Sequence, residues 1–445
     1  MVAKAGINWT NRSVLALAGG ADPVAAMQEK AQALVLSARE AGWEGPPFNP
    51  LKIVEMLGAR ASANASIADA RLLASSSGPV VEYNPQQPRE RMRFSIAHEI
   101  AHMLFPDWRN EVRNRGGGSA SDDWQLEMLC NIAASEFVLP IGSLPSDLQV
   151  ASLEDLMRER RRFDVSVEAF LIRFVKSAGV PVTIFFASPI DDDGDRRYRI
   201  DYSIASPLAP RLPMQGVLLP PESAARSCTA IGHTDRAVER WFDGNDTQIE
   251  YVGIPGYPGA RFPRVAGVLR HGRTEEGKTP IRYVHGDVLK PLGEGHRIIC
   301  QLVNDRALRW GGGVARRFSR LHPSAEIAFT TEIAAIAQSE RLGRVVLVEI
   351  DDQVRLASLI AQEGFGPSLY PRIRYGALKR ALTEVARSAL NAGASVHMPR
   401  IGTGAAGADW AVVEEIIDTV LVREAVPVTI YDQPPRREQF ELFAE

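Results

Sequence analysis

At 445 residues, 45% of them hydrophobic, the chain is too long for one ordinary core and should divide into roughly two to four domains. A net charge of −3 excludes a global pull toward nucleic acid or anionic membrane, although arginine is locally dense in RERRRF, residues 158–163. Cys130, Cys228 and Cys300 share no zinc-ligand spacing and read as reduced packing residues; without a leader-like start or a long apolar run, a cytoplasmic location is expected.

In chain order, PVAAMQEKAQALVLSAREAG (23–42) keeps apolar residues at helical spacing and ends at Gly42, and NPLKIVEMLGA predicts a second short helix. GPVVEYNP reads as a strand running into a turn; RMRFSIAHEIAHMLF then reads as a helix stopped by Pro106. NRGGGSASDD (114–123) is a loop, and a further helix runs from about Asp122 to Leu139, where Pro140 ends it. Residues 152–178 predict two short helices, compatible with a helix-turn-helix or with any αα-hairpin. From VPVTIFFA to about residue 270 the pattern is β-rich and irregular, a small α+β domain, and HGRTEEGKTP (271–280) is a polar linker. Beyond it apolar strands (RIICQLVN, GRVVLVEI, RLASLIA, SVHMPRI, VPVTIYD) alternate with amphipathic helices (GVARRFSRL, RYGALKRALTEVARSAL, WAVVEEIIDTVL), which predicts a largely parallel sheet covered on both faces.

The helix RFSIAHEIAHMLF carries HExxH. A four-residue step returns to within ~40° on a helix, so His98 and His102 can reach one ion while Glu99 points beside them. Two imidazoles, a third ligand and an open position for water make a zinc hydrolase site, with the adjacent carboxylate Glu99 as proton acceptor. Phe94, Ile96, Ala97, Ile100, Ala101, Leu104 and Phe105 make the helix apolar around most of its circumference, so the histidines should be buried. For the third ligand the helix DDWQLEMLCNIAASEFVLP offers Glu127, Glu136 and its leading aspartates. Asp122 reads as an N-cap completed by Gln125 in a capping box; Glu127 shares a buried face with Cys130, Asn131, Ala134 and Val138, whereas Glu136 lies about a quarter-turn outside it. Glu127 is therefore the expected ligand.

RFSIAHEIAH followed by Glu127-MLC-Asn131-IAASEFVLP resembles the ImmA/IrrE family of zinc metallopeptidases over roughly residues 25–260. The resemblance implies a zincin-like α+β peptidase fold over 1–150, a helix-turn-helix-like segment at 151–180, a GAF-like domain at 181–270, and Zn²⁺ on His98, His102 and Glu127 with Glu99 as general base. It also implies a helix-turn-helix repressor as protein substrate, and hence a role in transcription regulation and stress response.

Two glycine-rich segments follow strands in the C-terminal part, NDRALRWGGGVARRF and MPRIGTGAAGADW. Glycines let backbone N–H groups converge on an anion, and a helix starting at each loop adds its positive end, so a pair on one parallel sheet could clamp a diphosphate. The order HGDVL, VN with GGGVA, MPRIGTG with Trp410, and VTIYD resembles a macro domain, an α/β fold that binds ADP-ribose, over about 278–434, with the domain itself expected at 281–435. It is similar to the class that includes the terminal ADP-ribose glycohydrolase. The resemblance implies that Asp287, with Val288, meets the adenine; that Asn304, Gly311, Gly312, Gly313, Val314 and Ala315 line the distal ribose and diphosphate; and that Gly402, Thr403, Gly404, Ala405, Ala406 and Gly407 form the second phosphate loop. Gln362 and Ala406 stand where the hydrolases of that class have a lysine and an aspartate, and neither can form an amine adduct or act as acid or base, so binding is expected rather than hydrolysis.

The expectation is a multidomain chain: a zinc endopeptidase cleaving a repressor-type regulatory protein, controlled or targeted by a domain for ADP-ribose or an ADP-ribosylated macromolecule. Direct nucleic-acid binding and a membrane are not expected. The alternatives are an ADP-ribosyl hydrolase whose N-terminal half recruits targets, and a DNA-binding regulator reading through 152–178.

Overall fold

The computed structural model describes residues 7–76, 78–109, 122–192, 195–241, 246–257, 262–271, 281–310 and 313–432. Contacts divide the chain into two compact units, Met1–Arg39 with Trp43–Gly277, and Glu40–Gly42 with Lys278–Glu445. The second division falls inside the expected linker, whose residues 272–280 lie outside the described ones, as do 114–121 of the expected glycine-rich loop. No helix among the described residues is long and apolar enough to cross a membrane.

The first unit begins with α1 (Arg12–Ala18), capped by the Asn11 side chain, then α2 (Pro23–Glu40) and α3 (Pro50–Met56). A three-stranded sheet follows from β1 (Arg60–Ala63), β2 (Ala70–Ser75) and β3 (Gly78–Tyr83) in the order β1-β3-β2. Strand β3 runs parallel to β1 and antiparallel to β2, which leaves β2 at an edge. Against this sheet lies α4 (Arg89–His102), whose Ile96, Ala97, Ile100 and Ala101 are buried as its all-round apolar pattern predicts. It packs on α5 (Asp123–Val138), which buries Leu129, Cys130, Ala133, Ala134 and Phe137.

The short helices α6 (Leu153–Arg160) and α7 (Val167–Ser177) take their N-caps from Ser152 and Ser166. Next come β4 (Val182–Asp192), β5 (Asp195–Ala205), β6 (Thr234–Arg240), β7 (Asp246–Ile254) and β8 (Arg264–Arg270), an antiparallel sheet ordered β5-β4-β8-β7-β6. The region that looked irregular in sequence is thus a regular five-stranded sheet, with α7 against β4 and β5. Arg270 donates to the carbonyls of Gln149 and Ala151 and Glu250 accepts from Leu153 N, which ties the helical segment to the sheet.

The second unit comprises β9 (Arg282–His285), β10 (Arg297–Asn304), α8 (Gly313–Leu321), α9 (Pro323–Ala334), β11 (Val345–Glu349), β12 (Val354–Gln362), α10 (Tyr375–Ala392), β13 (Ser395–Pro399), α11 (Trp410–Val420) and β14 (Val428–Asp432). The sheet order is β11-β12-β10-β13-β14-β9, parallel throughout except for the edge strand β11. All five expected strands are present; β9 and α9 are additions. Ile299, Val303, Leu356 and Ile360 on one sheet face pack with Phe318 and Phe329 of α8 and α9. Gly393, in the left-handed region at φ 58°, ends α10 by donating to Ala389 and Leu390 carbonyls.

Candidate metal centre and second-unit cavity

One helical turn brings His98 and His102 side by side, ring centroids 4.9 Å apart, with exposures of 0% and 2%. From α5, Glu127 Oε2 lies 2.9 Å from His98 Nε2 and Glu127 Oε1 lies 3.7 Å from His102 Nε2. His98 Nδ1 sits 3.0 Å from Asn131 Oδ1, an acceptor, which fixes the Nδ1–H tautomer and leaves a lone pair on Nε2. That lone pair is buried and takes no hydrogen bond, although a carboxylate oxygen is close. A cation between the two facing acceptors would satisfy both, and ligand atoms ~2.1 Å from one tetrahedral ion stand ~3.4 Å apart, between the two observed separations. The residues fit a zinc ion.

Glu99, 1% exposed, is held by accepting from Leu72 N of β2 at 2.9 Å. Cys130 Sγ approaches His102 Nδ1 at 3.5 Å, and His98, His102 and Cys130 could themselves form a ligand group. Glu127 lies near both Nε2 atoms, while the thiol meets His102 on its other nitrogen. Glu136 is otherwise engaged, accepting from Ile141 N and lying 3.9 Å from Arg173.

Two expectations need correction. The face of α5 around Glu127 is not fully buried: the Glu127 side chain is 40% exposed and Asn131 is exposed. Asp122 does occupy the N-cap position, yet no capping box forms. Its side chain accepts from Thr10 Oγ1, and buried Gln125 instead accepts from Thr10 N and Asn11 N and donates to Asn8 O.

In the second unit the C-terminal ends of the parallel strands β10, β12 and β13 open into a cavity of about 860 Å³. Asn304, Val314, Ala315, Gly402, Gly404, Ala405 and Ala406 line it, so the two glycine-rich segments do converge. Gly311 and Gly312 lie outside the described residues, and Gly313 begins α8. Gly402 is needed by the turn itself: its φ is +82° and a Cβ there would come within 2.9 Å of Ala408 Cβ. A Cβ on Gly404 would meet nothing, so packing does not explain that glycine, whereas open backbone beside the cavity does.

Asp287, Val288, Thr403 and Gly407 do not line this cavity. Asp287 pairs with Arg317 at 2.5 Å and accepts from Leu289 N; burial pushes its carboxyl up, but these bonds and the neighbouring cations together hold it below the usual range. Val288 is buried in the apolar core, Thr403 Oγ1 donates to Arg400 O, and Asn304 Oδ1 accepts from Arg306 N. Gln362 and Ala406 both line the cavity, and the only ionisable residues among its described lining are Arg309 and Arg400. No acid, base or nucleophile is therefore available among the described lining residues. The sequence reading missed both arginines and Phe365, although Arg309 and Arg400 stand just before the two glycine runs. Arg400 is fixed by Asp432 and lies over the rings of Tyr283 and Trp410.

Residues 59–175 match the family model described as an IrrE N-terminal-like domain, Peptidase M78; the match ends within α7 and leaves the antiparallel sheet outside. A mouse protein, chromodomain-helicase-DNA-binding protein 1-like, is 35% identical over 165 residues, which is 35% of this chain and 18% of that one. The chain thus spans less than a fifth of the length of the chromodomain-helicase relatives from mouse and Danio rerio. An ADP-ribose 1''-phosphate phosphatase of Lodderomyces elongisporus is 26% identical over 149 residues, 31% of this chain and 91% of that one. A solved macrodomain protein from Streptomyces coelicolor is 37% identical, with 35% of this chain and 99% of that one covered and a TM-score of 0.31. The chain therefore carries an IrrE N-terminal-like domain of the Peptidase M78 family, joined to a region similar to macrodomains.

Proposed function

We propose that the first unit is a zinc-dependent endopeptidase for a regulatory protein of the helix-turn-helix repressor type, acting in the cytoplasm. In this reading the second unit binds ADP-ribose or a related nucleotide and targets or controls the cleavage. The observation that carries it is His98 Nε2, buried and without a hydrogen-bond partner among the described residues, 2.9 Å from Glu127 Oε2. His98, His102 and Glu127 would hold the ion. When bound, Zn²⁺ supplies a water whose pKa falls toward ~7 and polarises a carbonyl.

Glu99 takes the proton from the attacking water and passes it to the leaving amine, while its bond to Leu72 N keeps the carboxylate beside the histidines. Asn131 keeps His98 in the tautomer that presents Nε2. Strand β2 is an edge strand beside α4, and an extended peptide could add to it where its backbone does not already donate to Glu99. In the cavity, Arg309 and Arg400 supply charge for phosphates, and the missing acid and base favour binding over hydrolysis.

The test is metal analysis of the full chain together with cleavage of a repressor and of fluorogenic peptides, for wild type and Glu99→Gln. Bound zinc in both proteins with cleavage only in the wild type is expected. Absence of zinc from the wild type, or wild-type cleavage by Glu99→Gln, would overturn the reading. Release of ADP-ribose from modified protein by Glu99→Gln would favour the hydrolase alternative.

A further inference from the structure

Helix α8, GVARRFSRL, holds no carboxylate, and Arg316 and Arg317 stand close to its N-terminus. That end of a helix carries partial positive charge and favours carboxylates, so arginines there oppose the helix they belong to. Arg320 follows Arg316 by four residues, and both are exposed. Four-residue spacing puts the two like charges side by side on one face.

The loop before α8 repeats the pattern. Ala307 and Arg309 line the 860 Å³ cavity, and Arg306, Leu308 and Arg309 are exposed. Val314 and Ala315 line the same cavity, so this loop and the start of α8 share its rim. Among the described residues the guanidinium groups of Arg306, Arg309, Arg316 and Arg320 have neither a hydrogen bond nor an ion pair. The neighbouring carboxylates are engaged elsewhere: Asp287 pairs with Arg317, Asp305 accepts from Gly364 N, and Glu326 accepts from Trp310 N and Ser319 Oγ. Leu308 and Leu321, each 61% exposed, stand beside these arginines in the chain. The fold gains nothing from such a mixture, which weakens a helix and leaves large apolar side chains in water.

We propose that this rim is a docking surface for an acidic segment of a partner protein, one that carries apolar side chains among its carboxylates. Carboxylates would meet Arg306, Arg316 and Arg320, whose planar guanidinium groups suit two-point pairing, and the apolar side chains would cover Leu308 and Leu321. A nucleic-acid backbone would satisfy the arginines and offer the leucines nothing. One exposed ion pair contributes little, so an array drawn from two elements is what such docking requires. The proposal goes beyond the nucleotide reading of the cavity and does not depend on it.

The experiment is fluorescence anisotropy of the full chain with a labelled short peptide of glutamates and leucines, the same peptide with serines for leucines, and a short duplex DNA. The wild type is expected to bind the glutamate–leucine peptide, more weakly as salt is raised. Arg316→Glu/Arg320→Glu should weaken that binding by about tenfold without lowering the thermal midpoint, and serines for leucines in the peptide should weaken it by about three- to tenfold. Arg306→Glu, on the loop, is the second test if the helix variant fails to fold. No binding of the peptide, an unchanged affinity in both folded variants, equal affinity for the serine peptide, or tighter binding of the duplex would each overturn the inference.

Discussion

His98, Glu99 and His102 were legible in the sequence because helical geometry alone places them, and Glu127 because few carboxylates share a helix with such a pattern. Asn131 was read only as a neighbour on the face, since its bond to His98 depends on how α4 and α5 pack. Asn131→Ala should lower zinc affinity by ~10–100-fold with little change in stability, as chelator competition would measure, because the residue is exposed and acts on the tautomer. In the second unit His397 is held between Ser395 Oγ and Tyr431 OH; burial, then the Arg297 cation, pushes its pKa down to about 4 from 6.5. Between those values the unfolded chain binds the proton and the folded one does not. The neutral histidine's contribution is therefore complete above pH 6.5 and is lost as the pH falls toward 4. Urea unfolding followed from pH 7 to 4.5 should show a loss near 1 kcal/mol per pH unit in the wild type that is absent in His397→Gln.

Among the elements, those with strong periodicity were found and those with atypical borders were not. The α9 helix escaped because Pro323 after α8 looks like a stop and is in fact the first residue of the next helix. The four-residue edge strand β9 is exposed at three of its positions and carries no alternation to read. At the start of α5 the capping-box pattern was misleading because Gln125 is used at long range: it satisfies the backbone of Thr10 and Asn11. Gln125→Ala should therefore destabilise the first unit by about 1–3 kcal/mol, seen as a lower thermal midpoint, a larger loss than an exposed cap would give. Three arginines of the run are paired: Arg158 with Asp155 and Arg162 with Glu159 locally, and Arg160 with Glu90 across the fold. In α7, the helix that would have to enter a groove, only Lys176 is exposed. Fluorescence anisotropy with duplex DNA is accordingly expected to show no salt-dependent binding; such binding would restore the regulator alternative.

For the whole molecule, composition correctly demanded several domains, but the number of compact units depended on bonds such as Arg270 to Gln149 and Ala151 that no local pattern encodes. Residues 271–445 expressed alone should fold and bind ADP-ribose. If the nucleotide controls cleavage rather than only delivering the enzyme, saturating ADP-ribose should change the rate on a short peptide by about five- to hundredfold in the full chain and leave residues 1–270 unaffected. An unchanged rate in both proteins would leave delivery as the account. The pairing of α4 with α5 bears on the history of each molecule as it is made. Every residue of the metal trio and its proton acceptor lies between His98 and Glu127, on two helices complete by Val138. The strands that open the cavity begin at Arg297 and end at Pro399. Under the proposed function, a chain leaving the ribosome would assemble its cutting centre while its nucleotide site is still untranslated, so the second unit could not restrain the nascent chain and the supply of zinc would be its earliest control.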